Sequence, residues 1–313
     1  MILFYQSYDW CAVRLGRVYD NTKVELRQKN RNLGKTCFMA TLTPQEKAEK
    51  TYNMAADLFD DSALGFWDRY GRRTVERLGL KPGMRVLDVC CGTGASALPA
   101  AEAVGASGSV VGVDLAESLL ALARGKAAAR GLRNVGFMKA DMTALPFGPE
   151  RFDAVIVVFG IFFVPDMEEQ VRRLWRLLRP GGRLAITTWG PRLFEPAYTE
   201  WKAVLAEVAP EFVSDFNPWD RITTLEGVLQ MIEDAVPDEE SGAVEENGQQ
   251  LLVEPEDFWR IALGSGLRWA IEQMGEEKAA LLKERLMQRL TERPEGPVTS
   301  IETNVIYGVV LRK

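Results

Sequence analysis

Three aspartates and two glycines have the spacing to do chemistry together. Asp88 lies near the end of an apolar run and opens the stretch Asp88-Val-Cys90-Cys-Gly92-Thr93-Gly94. Glycine has no Cβ, so Gly92 and Gly94 let the backbone approach a ligand closely. Asp114 follows Gly94 by 20 residues. That is where an acid meets ribose hydroxyls in a nucleotide-binding strand–loop–helix unit. Asp141 follows a third apolar run, in Lys139-Ala-Asp141-Met142. Its carboxylate can accept a hydrogen bond from an adenine amino group while the Met142 thioether packs on the ring.

Asp88 bears on which cofactor the loop suits. The segment Gly92-Thr-Gly94-Ala-Ser-Ala97 also fits the dinucleotide pattern, with alanine as its third small residue. A dinucleotide sets a pyrophosphate against such a loop and the helix N-terminus behind it. An ionised carboxylate there repels phosphate. S-adenosylmethionine carries no phosphate and brings an ammonium and a sulfonium, which the same carboxylate attracts. Each acid also has an ordinary structural reading: Asp88 as a loop cap, Asp114 as a helix N-cap, Asp141 as a turn residue. Three of them at successive strand ends favour S-adenosylmethionine, with an NAD(P)-binding oxidoreductase as the alternative.

These residues need a frame that aligns strand ends. Apolar runs at 84–89, 109–113, 135–139, 152–158 and 183–189 predict strands, and 95–104, 116–130 and 166–178 predict the helices between them. Short loops and strict alternation imply a parallel sheet with helices on both faces, and ligands bind outside the carboxyl ends of its strands. The expected fold is α/β: a Rossmann-like parallel sheet, closing antiparallel strands, N-terminal helices and a helical cap insertion. Residues 44–79 read as helices, 276–290 as a charged amphipathic helix, and 301–311 as a closing strand. The stretch 222–259 holds eleven Asp/Glu and no Lys/Arg, and reads as a solvated acidic loop. The expected division is 1–38 a disordered extension, 39–80 a helical segment, 81–190 the cofactor-binding core, and 191–313 the substrate cap and closing elements.

Composition narrows the function. The chain has 313 residues and no histidine, which excludes an imidazole base or ligand. The net charge of -6 and pI of about 5.1 argue against a nucleic-acid partner. Adjacent Cys90 and Cys91, with Cys11 and Cys37, make no CxxC pair. No metal site or disulfide framework is expected, and a reducing cytoplasm fits. No run of 18 apolar residues marks a membrane span. Residues 1–38 carry seven Lys/Arg against three acids, and Met39 begins a more ordinary sequence.

The set Asp88-x-x-x-Gly92-Thr93-Gly94, Asp114, Asp141 with Ala144-Leu-Pro-Phe147, Phe152-Asp153 and Leu178-Arg-Pro-Gly-Gly182 resembles the class I S-adenosylmethionine-dependent methyltransferases. The nearer likeness, over about residues 50–190, is to the branch of ubiquinone and menaquinone C-methyltransferases. The resemblance implies that the Gly92–Gly94 segment, flanked by Asp88 and Cys90, holds the methionine portion of the cofactor. It implies that Asp114 and Leu115 meet the ribose, that Asp141 and Met142 meet the adenine, and that Thr93 and Val158 line the cofactor. The turn 178–182 is expected to launch the fifth strand. Two departures stand out. Cys90 replaces the frequent glycine. After the fourth strand Phe159-Gly-Ile-Phe-Phe-Val-Pro-Asp166 stands where quinone enzymes carry polar residues, which argues against quinone C-methylation as such.

Methyl transfer needs alignment more than acid–base chemistry. The expected acceptor is a small apolar or aromatic molecule, with a protein or other macromolecule as the alternative. Phe159, Phe162, Trp189, Phe194 and Trp219 are candidate walls, each equally readable as core packing. Tyr52, on an N-terminal helix, is a candidate for the cofactor's neighbourhood or a packing residue. Glu195, Tyr198, Asp215 and Asp220 are the available bases in the cap, with none favoured.

Overall fold

The computed structural model describes residues 42–214 and 217–313. The expectations at 1–38, Cys11, Cys37 and Asp215 lie outside these residues.

Strands β1 (Arg85–Val89), β2 (Ser109–Asp114), β3 (Val135–Lys139), β4 (Phe152–Val158) and β5 (Leu178–Trp189) pair in parallel. Downstream come β6 (Glu240–Glu246), two short strands β7 (Gln249–Leu251) and β8 (Ser300–Glu302), and β9 (Val305–Leu311). β9 runs antiparallel between β5 and β6, giving a seven-stranded sheet in the order β3-β2-β1-β4-β5-β9-β6. β1 lies between β2 and β4, so the chain order reverses there. A crevice opens at such a point outside the carboxyl ends of the strands.

The helices are α1 (Pro44–Ala55), α2 (Phe66–Leu78), α3 (Ala97–Val104), α4 (Glu117–Ala129), α5 (Met167–Arg176), α6 (Ala197–Val208), α7 (Leu225–Ala235), α8 (Glu256–Leu263), α9 (Arg268–Met274) and α10 (Glu276–Thr291). The strand period of two divides the core. Val86, Ala154, Ile156 and Ala185 face α2 and α3, where Val75, Leu78, Ala97 and Val104 meet them. Leu87, Val89, Val155 and Val157 face the other way, in one cluster with Val171 and Leu174 of α5 and Val228 and Ile232 of α7. Each fully buried Val, Leu or Ile contributes ~1.5–3 kcal/mol. α1 begins with a capping box: the Glu46 amide donates to the Thr43 hydroxyl at 3.2 Å, and the Thr43 amide donates to the Glu46 carboxylate at 2.8 Å.

Three expectations need correction. The acidic stretch 222–259 is not a loop: it supplies α7, β6 and β7. Val228, Met231, Ile232 and Ala235 recur at helical spacing and are buried. The expected strand at 301–311 is two strands, parted at Thr303 and Asn304. Thr303 there accepts the Tyr70 hydroxyl on its carbonyl, and the Asn304 amide group donates to the Pro191 carbonyl at 3.0 Å. The turn at 178–182 belongs to β5. Leu178 pairs with Phe152, the register then shifts, and Arg183 pairs with Ala154.

Candidate active site

The chain leaves β1 through a tight bend in which Cys90, Gly92 and Gly94 have φ of 59°, 53° and 89°. Glycine takes such values freely, and a side chain at either glycine would be strained. A Cβ on Gly92 would also stand 3.4 Å from the Phe59 ring. Cys90 takes the same left-handed conformation without that freedom. The bend is anchored to β2: the Cys91 amide donates to the Val113 carbonyl at 3.0 Å, and the Gly92 amide donates to Asp114 Oδ2 at 2.9 Å. Asp114 Oδ1 accepts the Ala116 amide at 2.9 Å at the head of α4. One carboxylate thus holds the loop and the turn that leads into α4, which itself has no side-chain cap. Burial pushes the Asp114 pKa up, against the pull of these amides.

Asp88 is fully buried. Its Oδ2 accepts the Ser96 hydroxyl at 2.7 Å, while Oδ1 is buried with no partner. Burial is the main reason its pKa is pushed up to about 7; the Ser96 hydroxyl pulls it down and the Asp114 charge pushes it up. A buried, half-satisfied carboxyl beside a second acid is a poor neighbour for phosphate and a good one for a cation. The residues present therefore fit S-adenosylmethionine. Asp141 begins the 3-10 turn Met142–Ala144, and its Oδ1 accepts the Thr143 amide and hydroxyl, both at 2.8 Å. Met142 is buried beside it, its carbonyl taking the Gln170 side-chain amide at 2.8 Å. Leu115 and Val158 are half-buried at the ends of β2 and β4.

Thr93 is buried, and its hydroxyl donates to Asp60 at 2.6 Å. The Lys126 ammonium joins both, at 2.8 Å from Thr93 and 2.9 Å from Asp60. Sequence reasoning missed Asp60 and Lys126, because nothing local marks either one.

An aromatic box stands over the ends of β4 and β5. Phe159 has φ of 52°, and its ring stacks on Trp189 at 3.9 Å. Trp67, from the first turn of α2, lies 5.3 Å from Phe159 and 5.5 Å from Trp189. Phe59 stacks on Trp67 at 5.3 Å and 2°. Tyr52 meets Phe59 and Phe163 edge-on. Its hydroxyl pKa is raised by burial first and by the Asp114 charge second, which puts α1 alongside the glycine loop. Phe194 contacts Trp189, and Phe162 contacts Trp219 edge-on. Phe59 and Trp67 were legible only as helix-packing residues.

The candidate bases form a separate group. Glu195 is occupied by Thr199, accepting its hydroxyl at 2.8 Å. The Tyr198 hydroxyl donates to Asn217 at 3.3 Å, and Asp220 closes a capping box with Asn217. An open cavity of about 610 Å³ beyond β5 is lined by Pro191, Arg192, Gly248 and Glu302, and by no glycine-loop residue. Among the described residues no group of three or more His, Cys, Asp or Glu could hold a metal ion, and no helix is long and apolar enough to cross a membrane.

Residues 45–218 match the ubiE/COQ5 methyltransferase family. The demethylmenaquinone methyltransferase of Lactococcus lactis subsp. lactis (strain IL1403) is 32% identical over 171 residues, covering 52% of this chain and 67% of that protein. The aklanonic acid methyltransferase DauC of Streptomyces sp. (strain C5) is 32% identical over 203 residues, covering 58% of this chain and 91% of that one. In fold, the YcgJ protein from Bacillus subtilis superposes with a TM-score of 0.52 at 18% identity, over 78% of this chain and 99% of that chain. With a glycine bend and acids suited to a cationic methyl donor, this chain belongs to the ubiE/COQ5 methyltransferase family and is an S-adenosylmethionine-dependent methyltransferase.

Proposed function

We propose that this methyltransferase acts on a small, flat, apolar or aromatic acceptor held in the box of Phe59, Trp67, Phe159 and Trp189. The observation that carries this reading is the Phe159–Trp189 stack at 3.9 Å, with Trp67 closing one side. Rings of this kind offer wide apolar faces, which suit another ring. The named acceptors of the relatives, demethylmenaquinone and aklanonic acid, agree with a small-molecule acceptor. The acidic chain and the free thiols of Cys90 and Cys91 suit a reducing, cytoplasmic setting and disfavour nucleic acid.

In this reading the cofactor supplies an activated methyl group on a sulfonium. Gly92 and Gly94 leave backbone room for its methionine portion. Asp88 neutralises positive charge, and Asp114 and Leu115 hold the ribose. Asp141, Met142 and Val158 border the adenine. Cys90 and Thr93 shape the bend, while Tyr52 and Phe59 cover it. Phe162 extends the acceptor wall towards Trp219, and Glu195 and Tyr198 organise the cap instead of moving a proton. Residues 81–190 act as the cofactor-binding core, with 39–80 and 191–313 completing the acceptor side. The chain's own contribution to rate is alignment in a water-poor box, which supplies several kcal/mol without a base.

The test is methyl transfer from isotopically labelled donor to a panel of aromatic polyketides, reduced naphthoquinones, bulk protein and RNA. Labelling of a ring acceptor supports the reading. Labelling confined to protein or RNA overturns it.

A further inference from the structure

The Trp67 indole nitrogen is buried, and no hydrogen-bond partner meets it. A buried donor left unpaired loses its hydration with nothing in return, and native proteins hold few of them. Trp175 carries a second unpaired indole, but it lies on α5 under the Arg312 guanidinium, with no aromatic box around it. What distinguishes Trp67 is its place. Its ring stacks on Phe59, which lies against Gly92, and its other neighbours, Phe159 and Trp189, end β4 and β5. It therefore spans the gap between the donor's loop and the acceptor's walls.

We propose that the Trp67 N–H donates a hydrogen bond to an oxygen of the methyl acceptor and so sets the rotation of the acceptor within the box. This rests on the small-acceptor reading above. An indole N–H donates and never accepts, so the partner atom must be a hydrogen-bond acceptor. The phenylalanine walls give a ring its plane but not its rotation within that plane. A single fixed donor sets the rotation, and with it the ring position that points at the glycine bend. A hydrogen bond to the ring oxygen also stabilises negative charge that gathers there as a neighbouring atom becomes nucleophilic. The N–H removes no proton; the acceptor reacts as an enolate or phenolate that has already given its proton to solvent, and in a chain without histidine the hydrogen bond lowers the cost of that charge.

The test uses the whole protein with 15N-labelled indoles, saturated with S-adenosylhomocysteine. The Trp67 resonance is identified by its loss in Trp67→Phe, or, should that variant fail to fold, by its through-space contacts to the Phe59 ring. Two probes of the same outline are titrated: 2,3-dimethyl-1,4-naphthoquinone, which has ring oxygens and no free ring position beside them, and 2,3-dimethylnaphthalene, which has no oxygen. The expected result is a downfield move of the Trp67 N–H with the quinone alone. The quinone should bind ~5–30-fold more tightly than the hydrocarbon, and Trp67→Phe should abolish that preference. If the quinone shifts the Trp189 resonance but leaves Trp67 unmoved, the hydrogen bond is refuted while the acceptor site stands. If neither probe perturbs any indole in the cofactor-bound protein, the acceptor reading falls and takes this proposal with it.

Discussion

Thr93 and Asp60 are joined by a 2.6 Å hydrogen bond, with the Lys126 ammonium within 2.9 Å of both. The bond ties the segment that follows α1 to the glycine bend, so whatever occupies the bend is held under Phe59 and Tyr52. Asp60→Ala should release that cover. The expected outcome is a cofactor dissociation rate raised roughly 3–10-fold, the equivalent of about one hydrogen bond. The melting point should hardly move, because the Asp60–Lys126 pair is partly exposed and such pairs contribute little. Stopped-flow displacement by S-adenosylhomocysteine measures the rate, and an unchanged rate would show that the tie plays no part in retention.

Asp114 serves the bend and the proposed ribose site at once. Asp114→Ala removes the acceptor for the Gly92 and Ala116 amides as well as the ligand contact. Cofactor affinity should fall by about 1–3 kcal/mol. Asp114→Asn keeps one acceptor oxygen and should lose less. Calorimetric titration checks both variants, and wild-type affinity in folded Asp114→Ala would remove Asp114 from the site.

Asp88 makes the ligand-free protein sensitive to pH. Its carboxyl pKa is about 7 when folded, against an ordinary value near 3.9 when unfolded. The folded state therefore holds the proton more tightly. Between pH 4 and 7 the unfolded chain ionises first, so stability falls as pH rises, by ~4 kcal/mol at most. A cationic ligand favours the ionised form. Cofactor affinity should accordingly rise with pH up to about 7, by no more than tenfold per unit, with proton release on binding. Asp88→Asn should flatten both trends. Melting curves and titrations across pH 5–8 would contradict this if the wild type and Asp88→Asn ran in parallel.

Gly160 and Cys90 pack against each other. A Cβ on Gly160 would fall 2.7 Å from Cys90 Cβ and 2.8 Å from its sulfur. Gly160→Ala should cost about 1–3 kcal/mol by overpacking. Cys90→Gly should be close to neutral, because relief of a left-handed cysteine offsets the lost packing. Together the two should cost clearly less than Gly160→Ala alone. Chemical denaturation measures this coupling, and simple additivity would show that the clash lies elsewhere.

Strands β1 and β4 were legible because they are short apolar runs buried on both faces, whereas β6, acidic and largely exposed, carries no such signal. Asp88, Asp114 and Asp141 were legible because a strand–loop–helix unit fixes their spacing. Asp60 and Lys126 were not, since they lie 33 residues on either side of Thr93 and meet it only when α1 folds over the bend. In α7 the charge of Glu226, Glu233 and Asp234 masked a helical repeat that was present all along. The break at Thr303 and Asn304 depends on Tyr70 and Gly248, partners no local window contains. Trp67 shows the limit most plainly. Its type and spacing suit an ordinary packing residue, and only the placement of its unpaired nitrogen says more.

The stack of Phe59 on Trp67 and of Phe159 on Trp189 has a practical corollary. Two of the chain's eight tryptophans stand in the box with ring centroids 5.5 Å apart, close enough to pass excitation from one to the other. A ring that settles against them changes the colour and intensity of the light they emit. Acceptor arrival can thus be followed by eye of a fluorimeter, with no dye and no label, and dark electron-poor rings will announce themselves by quenching.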